Sequence, residues 1–397
     1  MKTAIITPTD PRTGISNYSE NLAIELLKLD VEISIISPKN SPNKLLTTND
    51  NMEHITPENY DVNDYDVTHF QLGNSPLHEF QFHILGENFK DLKNNPNIVT
   101  TVHDARNFDV FNLNCIKCIS TGLKSLNSPM TYPYDIVDKA FQEVSNYLIF
   151  HNKSALEEYN VRYKLNNKFL RYIPIPAYRF AGMPAQTVET NLEENRFLAP
   201  GIISPFKGQD ILIKSVSGLD NDMELIFIGQ ITNNDYCLYL NNLVENLGVG
   251  DIVKFKGFVS DDQFIKEIDR AKAVLIPRLI SSWLKKSPIY KFRKILGLDY
   301  MISHSSSGVL PKALASGKPI ICSENKGFSD YVDSSRGIMC SDRVESWRNA
   351  IKFMIENPNK VIQMSNNSRN FAAETLDPKL IAKKHLNLYQ EYSNKKL

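Results

Sequence analysis

The segment HSSSGVLPKALASGKPII, residues 304–321, carries the local pattern that decides the fold. A serine-rich turn, a short helical stretch, a glycine and an apolar run predict a turn, a helix, a helix end and a buried strand. Ser307 and Gly308 stand where the helix begins, and Gly317 stands where it ends. Serines are good helix N-caps, so capping alone explains them. Amides and hydroxyls at the positive end of a helix also suit an anion, and neither explanation excludes the other.

The same alternation of strand and helix extends toward the N-terminus. Residues 39–64 are polar and Asn-rich, which predicts mostly loop with a short strand at best. Elsewhere, helical stretches separate short apolar runs, and such alternation predicts a parallel sheet covered on both faces. The predicted strands are AIIT (4–7), VEISIIS (31–37), DVTHFQL (66–72), NIVTTVH (97–103), NYLIFH (146–151) and FLRYIPI (169–175).

A second series follows an interruption rich in proline and polar residues. It runs through RFLAPG, KGQDILIKSVSGL, ELIFIG, IVKFKG, DDQFIKEIDRA, AVLIP, PIICSE and GIMC. We therefore expect an α/β protein of two doubly wound, Rossmann-like domains that face each other across a cleft. The predicted boundaries are 1–178 for the N-terminal domain, 179–195 for a linker and 196–375 for the C-terminal domain. A last helix within 376–397 could cross back to the N-terminal domain.

Composition excludes several classes of protein. The chain has 397 residues and a formal net charge of zero, so bulk electrostatics do not favour a nucleic acid partner. No apolar run approaches the roughly 18 residues of a membrane-spanning helix, and the N-terminus lacks the apolar core of a signal peptide. Five cysteines do not suggest a disulfide framework. Cys115 and Cys118 form one CxxC, but zinc needs two further ligands, so we expect reduced thiols, no metal and the cytoplasm.

Three loops that follow predicted strands carry candidate site residues. Gly14 either makes an ordinary turn or lets a ligand approach the backbone at the start of a helix. His103 and Asp104 end an apolar strand, where such sheets place functional side chains, although a local hydrogen bond explains His103 equally well. Lys207 precedes a helix and could clamp a phosphate, but most single lysines are simply solvated.

Taken together, these motifs resemble the family-four glycosyltransferases, which have the GT-B fold and use nucleotide-diphosphate sugars. The resemblance covers nearly the whole chain and keeps the family's order of motifs. The segments that carry it are GISNY, HFQLGNSPLH followed by TTVHD, GIISPFKGQDILI, FKGFVSDDQFIKEIDRAKAVLIP and SSSGVLPKALASGKPIICSE.

The resemblance implies sugar transfer with retention of configuration and without a bound metal. The nucleotide-diphosphate sugar is then a co-substrate, and no cofactor is needed. In the family, the lysine matching Lys207 neutralises the diphosphate, and the glycine matching Gly14 lies close to it. The histidine matching His103 faces the transferred sugar, and the helix start matching Ser307–Gly308 holds the phosphates. We place Asn74, His78 and Asp104 on the acceptor side.

Three of the family's charged residues are replaced. The arginine that precedes the lysine by five positions is Ile202 here. Of two glutamates seven residues apart, the first falls at His304 or Ser305 and the second is Lys312. Arg278 could supply the lost cation, and Lys312, His304 and Ser305 could contact the donor.

An insertion in 278–298 has six basic residues and no acidic ones, interleaved with apolar side chains. Ser287–Pro288 predicts a helix start, with Ile289, Phe292 and Leu296 on one face. Such a helix could lie on an anionic membrane, or it could be a flap that packs on its own domain.

The resemblance therefore implies a cytoplasmic, retaining, hexosyltransferase-like enzyme that acts on a glycan or lipid-linked acceptor, and the 278–298 insertion could bring it to the inner face of the cell membrane. The alternative, motivated by the missing arginine and glutamate, is a non-catalytic GT-B protein that supports a partner glycosyltransferase. A nucleotide-sugar epimerase shares the architecture but has no further support.

Overall fold

A computed structural model describes most of the chain. The described residues are 1–10, 13–38, 52–73, 79–95, 97–103, 133–165, 169–178, 194–219, 222–295 and 306–393. They form two compact units. Unit 1 consists of Met1–Pro176 and Pro378–Leu397, and unit 2 consists of Ala177–Asp377.

The described part of unit 1 contains a parallel sheet. Its strands are β1 (Lys2–Ile6), β2 (Glu32–Ile36), β3 (Met52–Ile55), β4 (Val67–Leu72), β5 (Ile98–Val102), β6 (Tyr147–Phe150) and β7 (Leu170–Tyr172). Their order is β3-β2-β1-β4-β5-β6-β7. The central strands have apolar side chains on both faces: in β1, Ala4 and Ile6 enter one core cluster and Ile5 enters the other. Burial on both faces explains why these strands read as continuous apolar runs.

Helices cover both faces of this sheet. They are α1 (Gly14–Leu27), α2 (Glu79–Glu87), α3 (Phe89–Asn94), α4 (Pro133–Val144), α5 (Lys153–Tyr163) and, from the far end of the chain, α14 (Pro378–Ser393). Helix α14 packs against α1 and buries Ile381, Leu388 and Tyr389 in the core of unit 1. The last helix therefore belongs to unit 1 although it follows unit 2 in sequence.

Unit 2 repeats the plan with a second parallel sheet. Its described strands are β8 (Arg196–Pro200), β9 (Glu224–Ile228), β10 (Val253–Phe255), β11 (Ala273–Ile276), β12 (Ile320–Ser323) and β13 (Gly337–Cys340), in the order β10-β9-β8-β11-β12-β13. The chain continues from β8 to β9 on one side and returns at β11 on the other, so the strand order reverses between β8 and β11. In doubly wound sheets, ligands bind at the carboxyl ends of the strands at such a point.

The helices of unit 2 surround this sheet. They are α6 (Gln209–Val216), α7 (Asn234–Leu247), α8 (Asp261–Arg270), α9 (Ser282–Lys285), α10 (Pro288–Ile295), α11 (Val309–Ala315), α12 (Val344–Glu356) and α13 (Pro358–Thr375). Trp347 and Phe227 are fully buried on one face of the sheet, and Leu314 and Phe328 are fully buried in a separate cluster. Unit 2 thus has a core of its own.

The predicted strands are confirmed in both units, with ends shifted by at most three residues. The polar segment 39–64 contains one strand, β3, and two short 3-10 turns in its described part, as expected. Residues 179–193 of the predicted linker lie outside the described part. No described helix is long and apolar enough to cross a membrane.

Candidate functional site

A pocket lies at the carboxyl ends of β8 and β11 in unit 2. The space inside it, open solvent included, is about 400 Å³. Its described lining contains two cationic side chains, Lys207 and Arg278, and no acidic one. The residues that line it are Ala199, Pro200, Gly201, Ile202, Lys207, Gln209, Leu275, Ile276, Pro277, Arg278, Ser307 and Val309.

Lys207 reaches the pocket because of the turn that precedes α6. Its backbone N–H donates to the carbonyl of Ser204 at 3.0 Å. Gly208 then adopts a left-handed conformation with φ of 59° as the N-cap of α6. A Cβ at position 208 would lie 3.0 Å from the carbonyl oxygen of Pro277 and 3.1 Å from Cβ of Leu279. The glycine therefore lets the Lys207 turn pack directly against the segment that carries Arg278.

Arg278 follows β11, and its backbone is fixed by a neighbouring strand. Its N–H donates to the hydroxyl of Ser323, at the end of β12, at 3.1 Å. Three residues further on, Ser281 donates its N–H to the carbonyl of Pro205 in the Lys207 turn at 2.8 Å. The loops that carry the two cations are thus tied to each other by hydrogen bonds.

The third predicted element, the start of α11, also borders the pocket. Ser307 lines it, and Gly308 is the N-cap of α11. Because the N-cap is a glycine, it makes no side-chain capping hydrogen bond, and Ser307 is not the capping residue. At the other end of α11, Gly317 has φ of 65° and donates its N–H to Leu314, which confirms that it ends the helix.

Sequence reasoning missed Gln209 as a positioning residue. Its buried amide donates to the carbonyl of Ile202 at 3.0 Å, which fixes the loop in which the resembled family has its arginine. Ile202 itself is 44% exposed and lines the pocket, so the pocket has an apolar wall at this point. Gly229, the glycine that ends ELIFIG, could have indicated from the sequence that two backbone segments approach closely here. A Cβ at Gly229 would overlap the carbonyl of Gly201, which lines the pocket.

Lys312 is not among the residues that line this pocket. Its ammonium lies 6.0 Å from the centre of the Phe264 ring on α8. A contact between Lys312 and a donor therefore stays a prediction.

The candidate residues of unit 1 lie at the carboxyl ends of its strands. Gly14 is exposed and begins α1, as predicted, and a Cβ there would meet no atom within 4 Å. His103 follows β5 and is half-buried. Its Nε2 lies 2.8 Å from Oε1 of Gln71, and its Nδ1 lies 3.2 Å from Nε2 of His151.

A buried cluster of aromatic side chains surrounds His103. His151 donates from Nδ1 to the carbonyl of Ile173 at 2.9 Å, and burial lowers the pKa of His151 to about 4. His151 is therefore neutral at pH 7, and its Nε2 forms a hydrogen bond with Nδ1 of His103. Both ring nitrogens of His103 are thus engaged within unit 1. Direct contact with a substrate hydroxyl would require Gln71 or His151 to release it, and that role stays a prediction.

Five predicted site residues lie outside the described part of the chain. They are Asn74, His78, Asp104, His304 and Ser305. Cys115 and Cys118 lie outside it as well. Among the residues that are described, no group of histidine, cysteine, aspartate and glutamate side chains is arranged to hold a metal ion.

Comparison with known proteins agrees with this architecture. Residues 185–282 match the sequence model of the family Glycosyl transferases group 1. No curated protein sequence gives a significant match.

Solved structures resemble the whole chain. HepE of Anabaena, in complex with UDP and glucose, superposes with a TM-score of 0.69 at 14% identity, covering 98% of this chain and 100% of HepE. Sucrose-phosphate synthase of Thermosynechococcus elongatus gives 0.69 at 15% identity, with 98% of each chain covered. WaaG, a glycosyltransferase involved in lipopolysaccharide biosynthesis, gives 0.63 at 13%, covering 98% of this chain and 99% of WaaG. The fold is therefore the GT-B fold, as the sequence predicted.

Proposed function

We propose that this protein is a glycosyltransferase that transfers a sugar from a nucleotide-diphosphate sugar. The observation that carries the proposal is the pocket of unit 2, where Lys207, Arg278 and Ser307 converge at the carboxyl ends of parallel strands. The family match reaches from residue 185 to 282 and so contains both cations. HepE, which has the same fold, binds UDP and glucose.

The charge of the pocket suits the chemistry of this transfer. When the bond between sugar and phosphate breaks, negative charge grows on the departing diphosphate. Cations and hydrogen-bond donors already aimed at that position stabilise the transition state more than the ground state. We propose that Lys207 and Arg278 provide this charge, and that Arg278 compensates for the arginine replaced by Ile202.

The finer parts of the proposal come from the resemblance. They are membership of family four, retention of configuration, independence of metal ions, a hexose as the transferred unit, and a cytoplasmic enzyme in polysaccharide biosynthesis. The acceptor would be a glycan or a lipid-linked molecule, and the latter would bring the enzyme to a membrane surface. Gly14 and His103 would serve this reaction from unit 1.

A panel of UDP-, GDP- and ADP-sugars tests the proposal. We expect one of them to raise the melting temperature and to release its nucleotide when acceptor glycans or lipid extracts are added. Lys207→Ala and Arg278→Ala should each lower the rate of release by about a hundredfold to a thousandfold. Lys352→Ala, which removes an exposed lysine of the same unit, is the matched control and should have no effect. Absence of binding to every donor would refute the proposal.

The non-catalytic alternative predicts a different outcome. In that case a donor would bind and stabilise unit 2, but no acceptor would produce turnover. The missing glutamate at 304–305 favours this alternative, and the two outcomes are separated by measuring binding and nucleotide release in the same samples.

A further inference from the structure

The inserted segment that follows the pocket begins with a helix fastened to unit 2. The N–H of Ser282 donates to Oδ2 of Asp210 at 2.8 Å, and Nζ of Lys214 donates to the Ser282 hydroxyl at 3.0 Å. Trp283 packs on the core, with its ring 5.8 Å from that of Tyr236. Helix α9 therefore faces inward with its large apolar side chain and is held to α6 by polar contacts.

Helix α10, which follows, has the opposite orientation. Ser287 caps it by accepting a hydrogen bond from the N–H of Tyr290 at 3.1 Å. Phe292 is 62% exposed and Ile295 is 82% exposed. Residues three positions apart lie on the same side of a helix, so these two side chains form one apolar patch toward solvent. A packed flap would instead have turned them inward.

Lysines precede this patch in the sequence and alternate with its residues. Lys285, Lys286, Lys291 and Lys294 are all exposed, and Nζ of Lys285 lies 4.0 Å from Oδ2 of Asp342. The sequence from 278 to 298 contains no acidic residue, although the whole chain is neutral. The positive charge is therefore concentrated beside the exposed apolar pair.

We propose that α10 docks on the surface of an anionic lipid bilayer. Phe292 and Ile295 would enter the boundary between lipid headgroups and acyl chains, while the lysines contact the lipid phosphates. Burial of the apolar pair and attraction of the lysines to the anionic lipid would both stabilise the bound state. A helix of eight residues is too short to be stable by itself, but its connection to the fastened α9 holds it in place. The inference does not depend on the donor or on sugar transfer.

Co-sedimentation of the full chain with lipid vesicles tests the proposal. We expect binding to phosphatidylcholine vesicles that contain about 30% phosphatidylglycerol and little binding to phosphatidylcholine alone. Salt at about 0.5 M should weaken the binding, because it screens the lysines. Equal binding to both vesicles, or binding to neither, would overturn the proposal.

Matched variants locate the surface. Phe292→Ser combined with Ile295→Ser should lower the partition coefficient by about tenfold or more, whereas Val161→Ser, at a 77% exposed position on α5, should not change it. Lys291→Gln with Lys294→Gln should weaken anionic binding, and Lys352→Gln with Lys360→Gln should not. Equal effects of test and control variants would count against α10.

Self-association through α10, detected by analytical ultracentrifugation and lost in the Phe292 and Ile295 variant, would show that a second copy of the chain covers this patch and would overturn the proposal.

Discussion

Gly208 shows at the residue scale how one position shapes the pocket. Its left-handed backbone turns the chain from Lys207 into α6, and its missing side chain makes room for Pro277 and Leu279. The two requirements, a positive φ and a close approach, act at the same residue. The cationic character of the pocket therefore depends on a glycine as well as on the cations.

Gly208→Ala should lower both stability and ligand affinity. The left-handed backbone disfavours alanine by about 1 kcal/mol, and displacement of Pro277 should add to this cost. The control is Gly248→Ala at the end of α7, where φ is 65° but a Cβ would meet no atom within 4 Å. Urea denaturation should show the larger loss for position 208, and titration calorimetry with the nucleotide sugar that binds in the panel should show weaker binding for that variant alone. Equal effects of the two variants would mean that the contact with Pro277 is unimportant.

At the scale of elements, α14 is the clearest departure from the order of the sequence. It follows unit 2 but completes the core of unit 1, where Ile381 and Tyr389 are at most 1% exposed. It also brings two polar partners: His385 lies 3.1 Å from the hydroxyl of Tyr18, and the hydroxyl of Tyr389 lies 2.7 Å from Nδ1 of His69. Unit 1 therefore cannot complete its fold from residues 1–176 alone.

Ending the chain at Asp377 should unfold unit 1 while leaving unit 2 folded. Burial of Ile381, Leu388 and Tyr389 contributes roughly 1.5–3 kcal/mol for each side chain, and the sum is comparable with the total stability of a domain. Limited proteolysis with mass spectrometry should show cleavage within 1–176 and protection within 194–376. Removal of 394–397 alone is the control and should leave both units protected. Protection of unit 1 in the shorter chain would contradict the assignment of α14.

On the scale of the whole molecule, the two units differ in how they respond to acid. Unit 1 buries His69, His151 and His385, and burial lowers the pKa of each below its ordinary value, to about 4 for His151 and His385. Unit 2 contains a single histidine, His304. Its carboxylates Glu224 and Glu267 have lowered pKa values because Lys254, Lys256 and Arg196 donate to them.

The sign of the pH dependence follows from these shifts. Unfolded histidines take up protons as the pH falls below about 6.5, whereas the buried ones stay neutral until about 4, so acid favours the unfolded state of unit 1. At pH 5 the loss is on the order of 2 kcal/mol for each of His151 and His385. Unit 2 keeps its carboxylate interactions through this range and loses them at lower pH.

We expect the free energy of unfolding of unit 1, followed by hydrogen exchange, to fall between pH 7.5 and 5 while that of unit 2 stays nearly constant. His385→Gln should reduce the pH dependence of unit 1. Parallel behaviour of the two units would show that the buried histidines do not control it.

The sequence by itself determined the two parallel sheets and the loops at the carboxyl ends of their strands. It also identified Lys207 and Ser307, which both line the pocket. These depend on local periodicity and on turn residues, which are readable over short stretches of chain. Only the tertiary structure decided that Arg278 shares the pocket with Lys207, that Phe292 and Ile295 face solvent, and that both nitrogens of His103 are engaged. Each of these depends on contacts between segments far apart in sequence, such as Gly208 with Pro277 or α14 with α1, and no local pattern specifies which distant segments meet.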